Sequence, residues 1–74
     1  MSLNVKETSM KISKAIKKSN LTVRQVASEL GVSKQIVYLW INPNSSKLPA
    51  IDNFINLANL LGGSVDDFLV IDDN

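Results

Sequence analysis

A chain of 74 residues makes one compact domain with little room for a catalytic cleft, so neither an enzyme nor a small-molecule substrate is expected. It has no cysteine and no histidine, which removes disulfides, thiolate nucleophiles, the usual zinc ligands and the commonest general base; no catalytic residue, metal or cofactor is expected. The net charge of +1 hides a split: seven basic and two acidic side chains in residues 1–40, a balance of +5, against one lysine and five aspartates in residues 41–74, a balance of −4.

That split suits a domain offering one end to an anionic polymer, and it also fits an ordinary solvated surface. With 45% apolar residues, three glycines and two prolines, the chain is too hydrophobic for disorder and too poor in turn residues for a β-sandwich. An all-α fold follows.

In chain order, a short N-terminal arm covers about residues 1–5. The first periodic segment, about Lys6 to Ser19, turns Met10, Ile12, Ala15 and Ile16 inward. Its Lys14, Lys17 and Lys18 read as a solvated helix face or as a source of phosphate attraction. Asn20, which tolerates left-handed backbone well, ends that helix. Thr22-Val23-Arg24-Gln25 has a capping-box pattern and opens a second helix that ends at Leu30. Gly31 supplies a turn, and Ser33 caps a third helix from about Lys34 to Ile41.

Asn42 to Leu48 is polar and turn-rich, a surface loop. Pro49 fits the first turn of a fourth helix whose broad apolar face comprises Ile51, Phe54, Ile55, Leu57, Ala58 and Leu61. Gly62-Gly63 closes it. Ser64 with Asp67 then opens a short fifth helix carrying Val65, Phe68 and Leu69. The tail, about residues 70–74, is either frayed or packed on a neighbour. No repeat or linker interrupts residues 1–74, which read as a single five-helix domain. The N-terminus has no apolar leader core, and no apolar run nears the roughly 20 residues that cross a bilayer. A cytoplasmic location away from membranes is expected.

The segment from Leu21 to Trp40 therefore reads as two short helices joined by a tight turn, an arrangement that sets the second helix against the major groove of DNA. Its residues Leu21-Thr22, Val26-Ala27, Leu30-Gly31-Val32-Ser33, Val37 and Trp40, followed by Pro49, Phe54, Ala58, Leu61-Gly62, Ser64, Asp66 and Phe68, carry a wider pattern. From about Ile12 to Leu69 the chain resembles the DNA-binding domains of the Cro and phage-repressor helix-turn-helix family. The resemblance implies a compact five-helix, lambda-repressor-like domain that binds double-stranded operator DNA as a transcriptional regulator; because one such domain buries little surface and reads few base pairs, a homodimer is expected. It implies a phosphate cradle at Thr22 to Arg24, where exposed N–H groups and the positive helix end favour an anion. Lys34, Gln35, Tyr38, Leu39 and Asn42 become the five candidate readers on the outer face of the third helix, and Ser33 at its start joins the DNA-binding set. Lys34 suits guanine or a phosphate, Gln35 suits adenine, and Leu39 suits a thymine methyl. Asn42, Asn44 and Lys47 then meet the adjoining backbone.

Two departures from that family stand out. Val23 replaces the usual glutamine at the start of the second helix, and Ile36, Tyr38, Leu39 and Ile41 replace polar readers along the third. Val23, Ile36, Tyr38, Leu39 and Ile41 are accordingly also candidates for an apolar protein interface. Two roles follow: a DNA-binding switch regulator, and a phage antirepressor or modulator that caps a partner repressor's DNA-binding face. Ile36 and Ile41 also fit as buried flanks, and Trp40 belongs to the core.

Overall fold

The computed structural model describes residues 2–73. The elements are β1 (Ser2–Leu3), α1 (Val5–Lys18), α2 (Val23–Leu30), α3 (Lys34–Ile41), α4 (Ile51–Leu60), a 3-10 turn (Val65–Asp67) and β2 (Ile71–Asp72). Met1 and Asn74, the outermost residues of the expected arm and tail, lie outside the described residues.

Local hydrogen bonds explain the helix ends. The Asn4 side chain accepts from the Glu7 amide at 2.9 Å and starts α1. At the other end Asn20 adopts φ 58°, while its amide bonds to the Lys17 carbonyl and that of Leu21 to the Ile16 carbonyl. This is the paired closure of a Schellman motif. For α2, the Gln25 amide donates to Thr22 Oγ1 at 3.1 Å and the Thr22 amide donates to Gln25 Oε1 at 2.8 Å, completing the box. Gly31 then turns at φ 68°, a value that penalises any side chain. Ser33 caps α3 through its Oγ, 3.2 Å from the Ile36 amide.

These ends fix where α2 and α3 cross. Val26 and Ala27 of α2 and Val37 and Trp40 of α3 are buried at the crossing, and α1 packs on α3 through Ile12 and Ile16. Phe54, Leu57 and Ala58 of α4 close the other side against α2, with Phe68 beneath. The small Ala27 permits the close approach of helices that a larger residue would hold apart.

The structure corrects four expectations. Among the described residues there are four helices, because the segment after Ser64 makes only the 3-10 turn Val65–Asp67. Its box is present, Asp67 accepting from the Ser64 amide at 2.8 Å, but the chain leaves the turn at Phe68 to deliver Val70 to α1. The fold is also not helical throughout. Ser2 and Leu3 pair antiparallel with Asp72 and Ile71, so arm and tail pack on each other. Pro49 lies outside α4: Ala50 is the cap, and its carbonyl takes the first helical bond, from Phe54, at 2.8 Å. Finally, the face of α4 is narrower than six residues. Ile51 is 68% exposed and Ile55 46%, since α2 and the 3-10 turn cover only the side carrying Phe54, Leu57 and Ala58. Met10 and Ala15 of α1 are half-buried.

The chain ends form a clasp at the start of α1. The Asn4 amide donates to the Val70 carbonyl at 2.7 Å, the Val70 amide donates to Thr8 Oγ1 at 3.0 Å, and Asn4 Nδ2 reaches the Asp72 carboxylate at 3.1 Å. Thr8 is fully buried by this arrangement. The neighbouring Ser9 is also fully buried, and its hydroxyl has no partner among the described residues.

Candidate nucleic-acid interface

The third helix is held from behind and open in front. Val37 and Trp40, buried to 0% and 4% exposure, pin its inner side, so the remaining side chains project at 100° intervals from a fixed axis. Lys34, Gln35, Tyr38, Leu39 and Asn42 share the opposite side, and all five are exposed. Tyr38 is 55% exposed and Leu39 40%. Ile36 is exposed on one flank at 39%, while Ile41, on the other flank, is half-buried against the core.

At the start of α2, the Thr22 hydroxyl and the Gln25 amide group are engaged in the capping box. The N–H groups of Val23 and Arg24 precede the first helical bond, which leaves them directed outward with the positive end of the helix behind them. Thr22 and Arg24 are exposed, and Val23 is half-buried against the core. At the start of α3 the same geometry frees the Lys34 and Gln35 amides, because Ser33 serves only Ile36. The starts of α2 and α3 thus both carry free backbone amides.

The loop after α3 is ordered by its own polar side chains. Asn42 Oδ1 accepts from the Asn44 amide at 3.0 Å, and Ser45 Oγ donates to the Leu39 and Asn42 carbonyls, covering the end of the helix. Asn42 therefore holds the turn with its oxygen and keeps its NH2 for another partner. Asn44 and Lys47 are exposed.

Sequence reasoning did not find a cleft of about 250 Å3 between α1 and the end of α3, lined by Met10, Ser13, Lys14, Lys17, Ile41 and Pro43. The signal was a second row on α1, at positions 10, 14 and 17, beside its core row. Its meaning depends on α3 ending there, which spacing along α1 does not reveal. A second depression, about 450 Å3, lies between α2 and the end of α4 and is lined by Leu21, Arg24, Gln25, Ser28, Glu29 and Leu60. Among the described residues no group of His, Cys, Asp and Glu is placed to hold a metal ion, and no helix is long and apolar enough to cross a membrane.

Comparison with known proteins gives one match. Residues 12–68 fit a family model described as helix-turn-helix, from the first core residue of α1 to the residue after the 3-10 turn. No curated protein and no solved structure matches the chain.

Proposed function

The chain belongs to the XRE-type, Cro-like helix-turn-helix family of DNA-binding transcription regulators, and on that premise we propose that it acts in a phage or bacterial genetic switch by seating α3 in the major groove of an operator. The observation that carries this reading is the exposed row on α3, projected from a helix whose other side is locked by Val37 and Trp40. Gln35 then pairs with adenine, Lys34 with guanine acceptors or a phosphate, and Leu39 and Tyr38 meet thymine methyls and sugar edges. Thr22, Arg24 and the free amides of α2 grip one phosphate strand, while Ser33, Asn42, Asn44 and Lys47 meet the adjoining backbone. One such domain reads few base pairs, so a homodimer on two half-sites is part of the proposal.

A second reading is favoured by the apolar character of the same surface. Ile36, Tyr38 and Leu39 are large and exposed, and an apolar contact of that kind suits a protein partner better than a polar groove. In this reading Val23, Ile36, Tyr38, Leu39 and Ile41 cover the DNA-binding domain of a partner repressor, and the chain is an antirepressor.

One pair of variants separates the readings. In a binding-site selection from random duplex DNA, Gln35→Ala should weaken preference at one base pair by about 1–3 kcal/mol, and an unchanged selected sequence rejects groove reading. Leu39→Asp should abolish co-purification with the cognate repressor while the helical circular dichroism persists. Retained co-purification rejects the antirepressor reading.

A further inference from the structure

The cleft between α1 and the end of α3 has a chemistry that folding does not require. Its floor is apolar, made by Met10, Ile41 and Pro43, and its rim carries Lys14 and Lys17, both exposed. No acidic residue stands three or four positions from either lysine on α1: those positions hold Met10, Lys11, Ser13, Lys14, Lys17, Lys18, Asn20 and Leu21. The lysines therefore repel one another along the helix instead of pairing. The negative end of α1 stabilises Lys17 and Lys18, which occupy its last turn, but Lys14 lies too far back to benefit. Lys11, one turn before Lys14, differs: its ammonium donates to the Asp67 carbonyl at 3.4 Å.

We propose that Lys14 and Lys17 form a DNA phosphate-binding site that extends the footprint beyond the carboxyl end of α3. The proposal rests on the DNA-binding reading and deepens it. With α3 in the major groove, one flanking backbone passes the start of α2. Another passes the end of α3, where Asn42 and Pro43 lead into the cleft. Three residues apart on a helix, the two Cβ atoms are about 5–6 Å from each other. From that separation the two long, flexible stems can bring both ammonium groups to neighbouring phosphates of one strand. The apolar floor has a role here too. Lysine stems laid over Met10, Ile41 and Pro43 keep the ammonium groups at the rim, which reduces the freedom lost when they take up phosphate.

The test measures binding of the full chain to a short mixed-sequence duplex by fluorescence anisotropy over a salt series. Wild type is compared with the double variant Lys14→Gln/Lys17→Gln and with Lys6→Gln/Lys18→Gln, which loses the same charge outside the cleft. Each lost phosphate contact lowers the slope of log affinity against log salt by about 0.9, so the cleft variant should lose about 1.8. Its deficit relative to wild type should therefore shrink about tenfold between about 50 mM and 200 mM salt. The control pair should retain most of the wild-type slope. Equal losses in both pairs would assign the effect to net charge and overturn the site. A wild-type slope in the cleft variant would also overturn it, leaving the apolar floor to a protein partner. Wild type that binds the duplex not at all would overturn the DNA-binding reading itself, and the site with it.

Discussion

The second and third helices are near twins in how they are built and opposites in what they show to solvent. Each has eight residues, each starts on a hydroxyl cap, and each buries two residues at the shared crossing. Yet α2 exposes Arg24, Gln25, Ser28 and Glu29, all polar, while α3 exposes Ile36, Tyr38 and Leu39 beside Lys34 and Gln35. Since the inner sides alone satisfy packing, the outer sides are free to differ. Exposed aromatic and aliphatic side chains on one of two otherwise matched helices bring no folding advantage.

Breaking the shared inner side should have the largest effect. Trp40→Ala removes a 4% exposed indole from the crossing and should cost about 3–5 kcal/mol in urea unfolding, enough to unfold much of the population of so small a domain. Removing the caps should matter less and equally on both helices. Thr22→Ala and Ser33→Ala delete bonds of 3.1 and 3.2 Å, and each should cost about 1 kcal/mol by chemical denaturation. A large inequality would show that the two helix starts are not equivalent in folding. The outer side should matter least: Leu39→Asp, the variant that tests partner binding, should shift stability by less than about 0.5 kcal/mol. A larger loss would mean that Leu39 is held by the fold and not kept for a ligand.

Much of this pair was legible in the residues because its devices are local. The Thr22–Gln25 box, the Gly31 turn and the Ser33 cap each act within three or four positions, and inward placement of Val37 and Trp40 follows from helical winding. The exposure of Tyr38 and Leu39 follows from the same winding. What was not legible is set by distant parts of the chain. The Ser64–Asp67 signature looks like the start of a helix, and the box it announces is present. The helix fails to continue because Val70 is drawn to Asn4 and Thr8, more than sixty positions away in sequence. The outward turn of Ile51 and Ile55 is likewise decided by which side of α4 is covered, and the lysine-rimmed cleft by where α3 happens to end.

The clasp joining Asn4, Thr8, Val70 and Asp72 makes the opening of α1 and the close of the chain a single cooperative unit. Loosening either one strips the other of its hydrogen bonds, so the two segments are expected to open together under thermal motion.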